Sequence, residues 1–291
     1  MSTSSDAVMA TTDGGEPLRR RPPLTTRISR LVLPIYTVLI VMYLFVPIVV
    51  MIIFSFNDPR GRQNITWQGF TVDNYLSVWT RPDITGPMLN SLIIAVVATL
   101  VATVLGTLIG LALTRYRFSG RAPLNLLIYV PMATPEIILG ASLLAMWVSV
   151  GVQRDMTTIV IAHVMFNISF VVVTIRARIS GFNRTLEEAA MDLGADGWTT
   201  FRKVTLPLIF PGILAAALLS FALSIDDYVI TSFVAGQTAT FPLWVFGASR
   251  FGVPPEVNVL GTLIFVVALV LIAMMVWKER ASLARAQRSP S

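Results

Sequence analysis

The sequence predicts an all-α membrane protein of six transmembrane helices, and three observations carry that prediction. Of 291 residues, 55% are hydrophobic and only 13% charged, against about 25% charged in an ordinary soluble domain. Apolar runs of about 20 residues, the length a helix needs to cross roughly 30 Å of hydrocarbon, recur along the chain. The cations are divided unevenly among the loops that join those runs.

The runs lie near Leu31–Phe56, Met88–Leu113, Leu124–Val148, Met156–Ile175, Leu208–Ala235 and Val257–Trp277. Residues 1–30, rich in Ser, Thr, Gly, Pro and Arg, read as a disordered tail, and 278–291 as a second tail. The first run is too long for a signal-peptide core and no small-residue cleavage site follows it, so it is expected to be retained as a helix. With residues 31–277 committed to the six-helix unit, no separate soluble domain fits.

A cytoplasmic N-terminus places 17 cations inside, among them Arg115, Arg117, Arg121, Arg176, Arg178, Arg184, Arg202 and Lys203. Only Arg60, Arg62, Arg81, Arg154 and Arg250 then fall outside. The positive-inside rule therefore puts both termini in the cytoplasm. These cations are scattered between spans and form no continuous face, so a nucleic-acid partner is not expected. There is no cysteine, which excludes disulfides and thiolate metal sites. The one histidine, His163, cannot build a metal cluster alone, and no metal is expected.

Several segments depart from plain apolar sequence. The longest outside loop, residues 57–87, mixes aromatic and polar residues around Trp67, Tyr75 and Trp79. It reads either as an aromatic belt at headgroup level or as a docking surface for an outside partner. In the second span, Ala98, Ala102, Gly106 and Gly110 recur every four residues, a small-residue ladder that lets another helix approach closely. The third span contains VPMATPEIILG, where Pro131 and Pro135 remove two backbone donors and Glu136 adds a carboxyl. A broken helix lining a cavity tolerates this better than one facing lipid.

The inside loop LEEAAMDLGADGWTTFRKVTLP, which contains residues 187–207, reads as two short helices separated by a bend at Gly194. It resembles the EAA loop of ABC importer permeases: Glu188, Ala189, Ala190, Gly194, Leu206 and Pro207 match at the family's spacing, with Val204 in place of the usual Ile. The stretches NSLIIAVVATLVATVLGTLIGLALTRYRF, LSIDDYVITSFVAG and GVPPEVNVLGTL extend the likeness to spermidine/putrescine permeases, in particular those with an Asp-Asp pair in the fifth span. The resemblance covers about residues 31–277. It implies a type I importer fold in a prokaryotic plasma membrane, assembled from a second permease, two ATPase subunits and an extracytoplasmic solute-binding protein. It also implies that the loop is the coupling element, with Glu188 meeting a basic residue of the ATPase and Gly194 supplying the bend.

Asp226 and Asp227 are the costliest residues in the sequence, since one Asp at the centre of a spanning helix costs about 2.5–3.5 kcal/mol on insertion scales. On a continuous fifth helix, Asp227 shares a stripe with Ser220, Ser224 and Thr231. That count predicts that Asp227 faces the substrate pathway and that Asp226 faces a neighbouring helix, where it must be paired, hydrogen-bonded or protonated. Within the six runs the acids are Glu136, Asp226 and Asp227, with no Lys or Arg. A cationic cargo is attracted by such a lining and an anion repelled, although the acids also fit a structural pairing with a partner permease. Tyr228 and Trp244 are candidate contacts for a methylene chain, and His163 with Asn167 forms either an interhelical patch or a cargo site.

A phosphate-binding loop needs G-x-x-x-x-G-K-[ST], and neither lysine, Lys203 or Lys278, follows a glycine. The chain is therefore expected to be no enzyme and to hold no cofactor, with ATP and Mg used by the partner ATPase. Two other readings stay open: import of another cationic or small organic solute, and proton-coupled secondary transport through Asp226, Asp227 and Glu136.

Overall fold

The structure, a computed structural model, describes residues 24–286 except 62 and 182. Most of the expected N-terminal tail, residues 1–23, and the last five residues lie outside the described residues. The chain divides into two units, Met1–Met51 and Ile52–Ser291. In the first runs most of α1 (Leu24–Phe54), which takes up residues 24–30 and carries Pro34 and Pro47 within it.

In the second unit, the aromatic and polar loop after α1 folds into α2 (Asn74–Ser77) and a 3-10 turn. Asn57 organises it, donating to Asn64 Oδ1 at 2.6 Å and to the Thr66 carbonyl at 2.8 Å. Asn74 donates to the carbonyls of Ser55 and Asn57 at 3.0 and 2.8 Å. Arg81 then bridges Asp83 at 2.8 Å and Glu256 at 3.1 Å, tying the loop to the start of the last helix.

The core consists of three long helices packed against one another: α3 (Pro82–Arg115), α6 (Met156–Ser180) and α9 (Leu206–Ile225). Ala98, Ala102, Gly106 and Gly110 are all buried on α3. A methyl group on Gly106 would meet Val171 Cγ1 of α6 at 2.6 Å, and one on Gly110 would meet Ile175 Cγ2 at 3.0 Å. Each missing side chain thus brings α6 closer.

The third apolar run forms two helices, α4 (Arg121–Ala133) and α5 (Glu136–Ser149), bent by 108°. The bend falls at Pro135, which lacks an N–H and drives Thr134 to an extended conformation (φ −82°, ψ 131°). Pro131 sits inside α4 and does not end it.

The cytoplasmic loop of the sequence reading forms α7 (Thr185–Asp192) and α8 (Gly197–Thr200), with a π-helical stretch, Phe201–Thr205, leading into α9. Gly194 between them has φ +87°, a left-handed turn that favours glycine. The chain closes with α10 (Val229–Val234), α11 (Phe241–Ser249) and α12 (Pro255–Ala286), the last extending well into the expected C-terminal tail. Among the described residues, five helices are long and apolar enough to cross a membrane, and the bent pair makes a sixth span if counted as one.

Candidate functional site

The fifth apolar run is not one helix, which corrects the continuous-helix reading behind the Asp226 and Asp227 assignment. α9 stops at Ile225, residues 226–228 are non-helical, and α10 starts at Val229. No proline or glycine lies at the break. Asp227 makes it instead, by turning its carboxylate onto the backbone. Asp227 Oδ2 accepts from the Thr231 N–H at 2.8 Å and Oδ1 from the Ile230 N–H at 3.4 Å. These are amide protons at the start of a helix, which have no partner within it.

The same Asp227 oxygen accepts from Thr231 Oγ1 at 2.6 Å and lies 3.2 Å from His163 Nε2. His163 Nε2 also lies 2.9 Å from Thr231 Oγ1, and Nδ1 lies 2.6 Å from Ser224 Oγ. Because Thr231 gives its proton to the carboxylate, its oxygen accepts from Nε2–H. Ser224 Oγ closes the network at Nδ1. Asn167, one turn along α6, donates to the Ser220 carbonyl at 3.3 Å. His163 and Asn167 thus form a hydrogen-bonded patch between α6 and α9.

The two acids consequently stand the other way round from the helix-face count. The Asp227 side chain is 8% exposed and is the paired one. Asp226, at the end of α9, is exposed and has no ion-pair partner among the described residues. Ser224 is buried as a ligand of His163, which places it in the bracing network.

Glu136 opens α5 and is also exposed, within electrostatic reach of both Asp226 and Asp227. What brings it there is the contact of α5 with α10: a methyl on Gly140 would meet the Phe233 ring at 2.5 Å. The core beneath joins Leu139 and Leu143 to Ile159, Ala162, Ile230 and Val234. Tyr228 packs against Phe246 of α11, with ring centroids 4.5 Å apart, and Arg250 lies over that second ring at 5.3 Å. Trp244, by contrast, packs onto the cluster of Val78, Ile84, Val259 and Leu260, a structural placement.

A second site lies in the 187–207 loop. Glu187 of α7 is buried and accepts a bidentate hydrogen-bonded ion pair from Arg115, at the end of α3, and a hydrogen bond from Thr205. Burial pushes its carboxyl up, but the Arg115 and Thr205 hydrogen bonds, with the charges of Arg115 and Arg184, outweigh it and hold the group below its ordinary range. Glu188 and Ala189 are exposed on the same short helix, and Ala190 is half-buried. Leu206 and Pro207 open α9. Glu187 and Arg115 escaped the sequence reading, although an arginine at the C-terminal end of a long span is one available signal.

The fold and this loop define the class: a multi-pass, all-helical membrane protein with the architecture of type I ABC importer permeases. The chain belongs to the family of binding-protein-dependent transport system inner membrane components, which matches residues 102–279. It is 38% identical over 231 residues to the spermidine/putrescine transport system permease protein PotC of Escherichia coli (strain K12), covering 79% of this chain and 87% of that one. It is 37% identical over 230 residues to the putrescine transport system permease protein PotI of the same organism, covering 76% and 81%. Among solved structures, a bacterial ABC transporter that imports the acidic polysaccharide alginate matches with a TM-score of 0.64 at 16% identity, over 89% of this chain and 98% of that one. An amino acid ABC transporter matches with a TM-score of 0.57 at 20% identity, over 73% and 100%.

Proposed function

We propose that this chain is a permease subunit of an ATP-driven importer of polyamines, spermidine or putrescine. Similarity to two polyamine permeases over more than three-quarters of the chain supports the cargo class. The observation that carries the reading is the exposed pair Asp226 and Glu136 beside a buried Asp227. An ammonium about 4 Å from a carboxylate gains on the order of 4 kcal/mol at an effective dielectric constant of 20, before desolvation is subtracted. A polyamine carries several ammonium groups on a flexible methylene chain, so separated carboxylates suit it. Tyr228 and Phe246 stand beside them as an apolar contact.

In this reading Asp227, Ser224 and His163 hold the break open, and Asp226 and Glu136 meet the cation. A second permease completes the pathway, a solute-binding protein delivers cargo from outside, and two ATPase subunits, using ATP and Mg, act from the cytoplasm. The 187–207 loop seats against an ATPase with Glu188 presented outward. The Arg115–Glu187 pair fixes that loop to α3, so closure of the ATPases moves the core helices as a rigid body. Both termini are cytoplasmic.

The test is ATP hydrolysis by the complete complex in nanodiscs, stimulated by its binding protein. Stimulation by spermidine or putrescine and none by sulfate is the expected result. Equal stimulation by an anion would refute the cationic cargo.

A further inference from the structure

The end of the molecule that carries the 187–207 loop also holds arginines that neither site above uses. α3 ends at Arg115, Gly120 (φ +95°) turns the chain into α4 at Arg121, α6 ends at Ser180, and α7 begins after Arg184. These four helix ends surround a cavity of about 410 Å³ whose walls include Arg115, Arg117, Arg121 and Arg184 and, among the described residues, no acidic side chain. Arg115 is taken by Glu187. Arg117, Arg121 and Arg184 have no ion-pair partner among the described residues.

A second cavity of about 410 Å³ shares Arg115 and Tyr116 with the first. Its walls include Leu108, Leu111, Met191 and Phe201, and its one acid, Glu187, is already neutralised by Arg115. The exposed side chains of Leu100, Val104 and Leu108 continue this apolar wall along α3. A basic chamber thus opens beside an apolar one where two membrane-crossing helices, α3 and α6, come to an end.

We propose that these adjoining cavities bind an anionic phospholipid, with Arg117, Arg121 and Arg184 around its phosphate and the first part of an acyl chain along Leu108. Basic pockets at the cytoplasmic ends of spanning helices are suited to such headgroups. An acidic protein surface would satisfy the arginines but leave the apolar wall uncovered, whereas a phospholipid covers both. Arg184 directly precedes α7 and Arg115 holds Glu187, so a lipid seated here braces the coupling loop. The inference rests on the membrane placement of the family and is independent of the cargo.

The experiment uses the full chain assembled with its partner permease and ATPase subunits. Native mass spectrometry reads retention of added phosphatidylglycerol, phosphatidylcholine or inorganic phosphate by the wild type, by R121Q and by R117Q/R121Q/R184Q. Phosphatidylglycerol is expected to be retained roughly tenfold over phosphatidylcholine, with retention falling about fivefold for each arginine removed. R121Q alone keeps the test meaningful where the triple variant fails to assemble. Equal retention of the two lipids, or retention unchanged in R121Q, overturns the proposal. Inorganic phosphate held as well as phosphatidylglycerol assigns the site to free phosphate and overturns the lipid. Loss of the ATPase subunits from R121Q with lipid retention intact assigns the arginines to a subunit contact, and overturns it too.

Discussion

Nε2 of His163 lies 3.2 Å from Oδ2 of Asp227, and Nδ1 of the same ring lies 2.6 Å from Oγ of Ser224. One imidazole from α6 therefore grips the chain on both sides of the break between α9 and α10. Asp227 is held within the fold by this arrangement, whereas Asp226 is exposed.

Asp227→Ala is expected to destabilise the protein by about 2–3 kcal/mol, since it strips charge-assisted hydrogen bonds from the Thr231 N–H and hydroxyl and from His163. His163→Ala should cost less, about 1–2 kcal/mol, because Thr231 still serves Asp227. Thermal unfolding in detergent measures both. A midpoint for Asp227→Ala no lower than that of Asp226→Ala would contradict the assignment.

The Arg115–Glu187 pair sets a pH dependence. Glu187 has a native pKa below its ordinary value of 4.5. Its contribution is therefore complete above that value and is lost as pH falls through the depressed native one. Glu187→Gln should lower stability by about 3 kcal/mol at neutral pH, the lower end of the range for breaking a buried pair, because Arg115 retains 22% exposure. Measured from pH 7 down to about 3, the gap between wild type and variant should narrow; a gap that stays constant would show that the carboxylate charge is irrelevant.

Glu188→Ala and Gly194→Ala should uncouple transport from ATP hydrolysis while the complex still assembles. Glu188 is exposed, so its loss leaves the fold intact. At Gly194 a methyl meets nothing within 4 Å, but the +87° φ costs an L-residue about 1–2 kcal/mol and bends the loop differently. Unchanged uptake together with unchanged ATPase stimulation would remove the loop from the coupling role.

Gly106→Ala should destabilise by about 1–3 kcal/mol, the usual penalty of overpacking, because the new methyl falls 2.6 Å from Val171 Cγ1. Pairing it with Val171→Ala should recover much of the loss. A double variant no more stable than Gly106→Ala would show that α3 and α6 do not meet there.

Much of this architecture is legible in the chain, and what is not has identifiable causes. Span lengths follow from apolar runs, the bend at Pro135 from a missing donor, and the turn at Gly194 from loop composition. The break at 226–228 is hidden because hydropathy records burial in lipid and not backbone path, and residues 208–235 stay predominantly apolar on either side of the acids. Two adjacent acids are its only mark, and an unbroken helix through them pairs Asp226 where the structure pairs Asp227. Glu187 was passed over for Glu188 because nothing local announces that Arg115, 72 residues earlier, comes to meet it. The pairing of Arg81 with Glu256 spans 175 residues and leaves no sequence trace at all.

The most direct test is uptake of labelled spermidine and putrescine into proteoliposomes containing the complete complex with its binding protein, comparing wild type with Asp226→Asn. Uptake should require ATP, and Asp226→Asn should lower it about tenfold with the thermal midpoint unchanged, a loss of about 1.4 kcal/mol at the carboxylate. Uptake driven by a proton gradient without ATPase subunits, or uptake indifferent to Asp226, would contradict the account.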